Sequence, residues 1–111
     1  MELSEKTVKD CVIISITGNI VTSAEIKRLE RRIFSVFNHC GKIILDMSQT
    51  GIVSSTAVKT LLEVWRSIYN DHGLLILACM QTATRITFSI NKAYAFLETG
   101  TVTEAMEKLK C

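Results

Sequence analysis

Residues 42–69 read KIILDMSQTGIVSSTAVKTLLEVWRSIY, and two changes of pattern inside this stretch decide the fold. The opening run, Lys42 to Asp46, is short and its apolar residues Ile43, Ile44 and Leu45 are consecutive. That is the pattern of a central strand covered on both faces, not of a strand with one face in water. A polar loop over 47–53 leads to Ser54, Ser55 and Thr56, and from there Val58, Leu61, Leu62, Trp65, Ile68 and Tyr69 recur at helical spacing. A buried strand feeding a hydroxyl-capped amphipathic helix is the repeating half of an α/β sheet.

Working outward, His72-Gly73 marks the end of that helix, and Leu74 to Cys79 is a second strand of the buried type. Within 83–90, Ile86, Phe88 and Ile90 alternate like a strand, but the position after a βα turn places a short helix there. Residues 94–97 then predict a short strand, and 101–110 a final helix, with Thr101 or Thr103 near its start and Glu104 in its first turn. Upstream, the β-branched run Cys11 to Thr17 predicts a strand closing at Gly18-Asn19. Thr22 and Ser23 precede Ile26, Leu29, Ile33, Val36 and Phe37 at helical spacing, a helix closed by Gly41. Residues 1–8 predict only a weak edge strand. The expectation is one α/β domain over 1–111, with a mixed, mostly parallel sheet of about five strands and about four helices.

Composition narrows the function. With 111 residues the chain has room for one ordinary core and no separate catalytic domain. Its 13 basic and 11 acidic residues are scattered, without the dense basic run that neutralises a phosphate backbone, so nucleic acid is not an expected partner. No stretch approaches the roughly 18 apolar residues of a membrane span, and the polar start is unlike a secretory signal, which predicts a cytoplasmic protein without direct membrane insertion. Cys11, Cys40, Cys79 and Cys111 show neither a Cys-x-x-Cys pair nor zinc-site spacing, so no metal or other cofactor is expected. Cys11 and Cys79 fall in apolar runs, which predicts buried, reduced thiols.

The sequence offers little to an enzyme. His39 and His72 each fall at a helix end beside a carbonyl-rich terminus, and no nucleophile elbow, zinc helix or phosphate loop is present. Asp46 ends a central strand, where open sheets bind ligands. A phospho-accepting aspartate would need further carboxylates, and the turn after the earlier strand reads Gly18-Asn19-Ile20-Val21, without one. Asp46 is therefore expected to accept hydrogen bonds from amides of its own loop. The hydroxyls Ser54, Ser55 and Thr56 carry more information. One should cap the helix, and the same helix start favours negative charge, so a phosphate there would be tolerated while changing the surface by roughly −1.5 to −2 charges.

In its order of elements, and in the motifs Gly18-Asn19-Ile20, Lys42-Ile-Ile-Leu-Asp46-Met-Ser48 and Ser54-Ser55-Thr56-Ala57, the chain resembles the STAS domain of the anti-sigma factor antagonists over nearly its whole length. The resemblance implies a non-enzymatic phosphoprotein of transcription regulation that works by partner switching. It would bind an anti-sigma serine/threonine kinase, be phosphorylated at Thr56, less readily at Ser55 or Ser54, and be reset by a phosphatase. The implied docking surface comprises Asn19, Ser54, Ser55, Thr56, Lys59 and Glu63. Ser54 stands where the family usually has aspartate, Ala57 where it has glycine, and Asn19 and Val21 where acidic residues are common. The alternative is an unphosphorylated STAS scaffold subunit of a signalling or transport complex. Homodimerisation through a sheet edge or the Trp65 helix is a further option.

Overall fold

The computed structural model describes residues 1–91 and 97–111. Its elements run β1 (Glu2–Val8), β2 (Cys11–Ile20), α1 (Ser23–Phe37), β3 (Lys42–Asp46), β4 (Thr50–Val53), α2 (Ser55–Asn70), β5 (Leu74–Ala78), α3 (Thr82–Ile90), β6 (Leu97–Thr99) and α4 (Val102–Leu109). The strands join along the path β1-β2-β3-β5-β6, and β4 adds to β2. β1 is antiparallel to β2 and the other pairings are parallel. This is the expected mixed sheet with four helices, enlarged by the short β4. No helix among the described residues is long and apolar enough to cross a membrane.

Alternation along the strands divides the interior into two cores. Val12, Ile14, Ile16, Ile43, Leu45, Leu75 and Leu77 face α1, α2 and Phe88 of α3. Cys11, Ile13, Ile44, Ile76 and Ala78 face the other way, against Ala105 and Leu109 of α4. A strand with helices on both sides has no watered face, which is why Ile43, Ile44 and Leu45 are consecutive and all fully buried.

Several local signals act differently from their simplest reading. Gly18 does not end β2: it adopts φ 98°, and the register with β4 shifts between Gly18 and Ile20, so the glycine serves a bulge and the strand continues. β4 lies in the stretch expected to be a loop, because it pairs only with the end of β2, at Gly18 and Ile20 across that bulge, and is four residues long. Gly41 is not the helix cap. α1 ends at Phe37 with Asn38 as its cap, and the Gly41 carbonyl accepts from the Leu74 amide at 2.7 Å. At the end of α2, His72 takes the left-handed conformation (φ 66°), while the Gly73 amide donates to Ile68 O and the His72 amide to Tyr69 O, the paired bonds of a Schellman motif. Gly73 is needed for space instead: a β-carbon there would collide with the Phe37 ring and Ile68.

The expected helix over 83–90 is α3. Of the strand expected over 94–97, Leu97 opens β6 and the rest lies outside the described residues. The cysteine expectation is corrected: Cys11 is buried but disulfide-bonded to Cys111, and Cys79 is free but only half-buried. Sequence could not pair two cysteines separated by 100 positions; the crossovers of the fold bring them together.

Candidate functional site

Past the carboxyl end of β3 the chain passes through buried Met47 and a short turn into β4, whose first residue Thr50 is also buried, and β4 carries it in the same direction to α2. The Thr50 hydroxyl donates to Ile16 O at 3.0 Å, and the Ser54 amide donates to Ile20 O at 3.1 Å. These bonds fix the entry to α2 against β2. Ser54 is the N-cap, its Oγ accepting from the Ala57 amide at 3.1 Å. Ser55 is the first helical residue, and its Oγ accepts from the Asn91 side chain at 3.2 Å, which ties the start of α2 to the end of α3. Thr56 comes next. It is exposed, and no side-chain partner holds its hydroxyl among the described residues. The three hydroxyls therefore divide the work of capping, bracing and presenting a free side chain.

Lys59 and Glu63 are exposed on α2, three and seven positions after Thr56, so the three side chains share one helix face. Asn19 lies beside the cluster on β2, not in an open loop as its turn signal suggested. Its Oδ1 accepts from the Ile52 amide at 2.8 Å, and a β-carbon at Gly51 would collide with that oxygen. Next to it, a groove of about 320 Å3 runs between Asn19, Gly51 and Ile52 on one side and Gln81, Ala83 and Thr87 on the other. Ile52 is 68% exposed and Val21, Ile86 and Ile90 are also exposed apolar residues. Sequence reasoning missed Gly51, Ile52, Gln81 and Asn91. Only the β-branched pair Ile52-Val53 within a polar loop signalled a strand there.

The helix starts differ in charge. α1 is closed by a capping box: Thr22 Oγ1 accepts from the Glu25 amide and Glu25 accepts from the Thr22 and Val21 amides. These backbone bonds, that from Thr22 first, hold the Glu25 carboxyl down at about 2. α4 begins with Thr101 as cap and Glu104 in its first turn. The first turn of α2, like that of α3, has no acidic residue, so no carboxylate of the helix itself offsets its partly positive end.

Asp46 behaves as its sequence suggested. Its Oδ1 accepts from the Ser48 amide at 3.0 Å. Cys79 stands near it, and burial, followed by the charge of Asp46, pushes its thiol pKa upward, which keeps the sulfur protonated and weakly nucleophilic. A larger groove of about 480 Å3 opens at the opposite end of the strands, among Lys9, Asp10, His39, Lys42 and His72. There the Lys42 ammonium is already paired with Asp10 at 2.7 Å.

Comparison with known proteins follows the same lines. Among solved structures, an anti-sigma factor antagonist from Mycobacterium paratuberculosis superposes with a TM-score of 0.85 at 16% identity, covering 99% of this chain and 94% of that one. The unphosphorylated form of the anti-sigma factor antagonist SpoIIAA gives 0.75 at 17% identity, with 98% of each chain covered. A chain from the molecular architecture of the stressosome, a signal integration and transduction hub, gives 0.76 at 15% identity and 96% coverage of both. At such identities the likeness establishes the fold. No curated protein sequence matches the chain. The family model of the STAS domain matches residues 3–105, nearly the full length. The chain belongs to the STAS domain family.

Proposed function

We propose that this protein is an anti-sigma factor antagonist that acts by partner switching. In the unphosphorylated state it docks onto a serine/threonine kinase of the anti-sigma type through the Thr56 face of α2 and the adjoining Asn19–Ile52 edge. Phosphorylation of Thr56 ends that contact, and a phosphatase restores it. The role is regulatory, exercised through transcription, and its setting is the cytoplasm.

One observation carries the reading. Thr56 is the exposed, unengaged hydroxyl at a helix start that lacks a carboxylate of its own. A phosphate there gains from the free amides and the helix dipole, so the fold accepts it. A partner seated on the same surface meets a new double charge, and binding is lost without unfolding. Ser54 is less suited because its oxygen is spent on the cap, and Ser55 because Asn91 binds it. The test is incubation with an anti-sigma kinase and ATP, read by intact mass: one added phosphate on the wild type and none on Thr56→Ala. No phosphate on either form refutes the switch; phosphate persisting on the variant moves the acceptor to Ser55 or Ser54.

A constitutive scaffold is the second reading, favoured by the exposed Val21, Ile52, Ile86 and Ile90 and by neutral Asn19 and Ser54 in place of acidic residues. Apolar side chains suit a permanent interface. Under that reading Thr56→Glu leaves the affinity for a copurifying partner unchanged, whereas the switch predicts a loss of tenfold or more, roughly 1.4 kcal/mol.

A further inference from the structure

The second core depends on one short helix. α4 spans 8 residues and buries only Ala105 and Leu109 fully, with Val102 and Met106 half-buried, whereas α1 and α2 bury four and five residues each. A helix of two turns is not stable on its own, so its place on the sheet rests on this small contact and on whatever fixes its end.

Two features fix that end. Lys110 takes the left-handed conformation at φ 56°, with the Cys111 amide donating to Met106 O and the Lys110 amide to Glu107 O, and this turns Cys111 back toward the sheet. In the β1–β2 hairpin Lys9 is also left-handed, at φ 56°, and directs the chain into Cys11 on the same face. Neither position has the glycine that would adopt this conformation freely, so surrounding structure must hold both. The result is a Cα separation of 5.8 Å between Cys11 and Cys111, inside the range a disulfide spans, with the sulfurs bonded. Cys11 is fully buried and Cys111 half-exposed, so a small thiol reaches the bridge only at Cys111.

We propose that the Cys11–Cys111 pair is a redox-sensitive clamp: oxidised, it locks α4 over the second core, and reduced, it lets the last turn of α4 open. This does not depend on the partner-switching reading. Oxidation is exchange with a small-molecule disulfide of the glutathione type. Cys111 thiolate attacks it and expels one thiolate, Cys11 thiolate then displaces the second, and the two electrons end on the two released thiols. In reduction an external thiolate attacks Cys111 Sγ, the bridge breaks, and Cys11 leaves as a thiolate that takes up a proton; a second external thiolate frees Cys111. Because Cys11 leaves into an apolar cluster of Ile13, Ile44, Ile76 and Ala78, it is a poor leaving group and the reduction is slow. Such a bridge is transient in a reducing compartment and persistent in an oxidising one.

The test compares the protein after equilibration with glutathione disulfide and after full reduction. Intact mass should fall by two hydrogens on oxidation, peptide mapping should join Cys11 to Cys111, and amide exchange in Val102–Leu109 should rise by about tenfold or more on reduction while that of β3 holds. Cys111→Ser should exchange like the reduced form under both conditions. If that variant does not fold, the two states of the wild type decide alone. The proposal is overturned by two thiols persisting after oxidation, by a bridge through Cys40 or Cys79, by exchange in α4 that ignores the redox state, or by one zinc ion per chain held by the reduced pair, since Asp10 lies close enough to both sulfurs to be a third ligand.

Discussion

The two faces of the sheet are covered unequally. Three helices lie on one face, and their buried residues include Leu29, Ile33, Val58, Leu61, Ile68 and Phe88; on the other, α4 contributes Ala105 and Leu109. The strands also send more and larger apolar side chains to the first face, while the second receives the small Cys11 and Ala78 beside Ile13, Ile44 and Ile76, so sheet and helices share the difference. It also separates tasks. The hydroxyl cluster belongs to α2, on the thickly covered face, which gives it a rigid support. The thin face carries the covalent bond instead.

Truncating the thick core should cost most. Leu45→Ala is expected to lower unfolding stability by about 4 kcal/mol and Leu109→Ala by about 2 kcal/mol, since the end of α4 can settle into the space. Urea titration of reduced protein, in which the bridge does not hold that end, checks both, and equal losses would break the contrast. Gly73→Ala, which drives a methyl group into Phe37 and Ile68, should cost about 2 kcal/mol by overpacking in the same titration.

At the helix start the expected effects are smaller and separate structure from signal. Ser54→Ala removes the cap and should cost about 1 kcal/mol, while Thr56→Ala should change stability by less than about 0.5 kcal/mol yet abolish phosphate acceptance. A large loss from Thr56→Ala would mean that the hydroxyl is structural. The smallest effect concerns acid. Glu25 has its carboxyl lowered from 4.5 to about 2 in the folded chain, so its contribution is complete above the unfolded value and disappears as pH falls through that interval. Thermal melts from neutral pH to pH near 2 should show Glu25→Gln losing less stability than the wild type.

The parts of the fold that periodicity reveals were legible: the central runs in β3 and β5, the stripes of α1 and α2, and a hydroxyl cap at the start of each of these helices, though not that Thr22 and Ser54 supply it. The hydroxyls of the candidate site could be placed at a helix start because that position restricts which residues can stand there. What remained hidden depends on contacts between distant segments. β4 is too short to show alternation and exists through β2. Gly18 reads as a turn until a partner strand makes it a bulge, and Gly73 reads as a cap until Phe37 is placed against it. The environment of Asn19, the bracing of Ser55 by Asn91 and the joining of Cys11 to Cys111 all need the crossovers of the sheet.

β1 forms one margin of the sheet, and Glu2, Glu5 and Lys6 are exposed along it. A second molecule approaching that margin strand to strand would have to strip water from these charges before any backbone bond formed. The domain can thus be crowded at high local concentration, as in a large assembly, without its sheets fusing into a continuous ribbon.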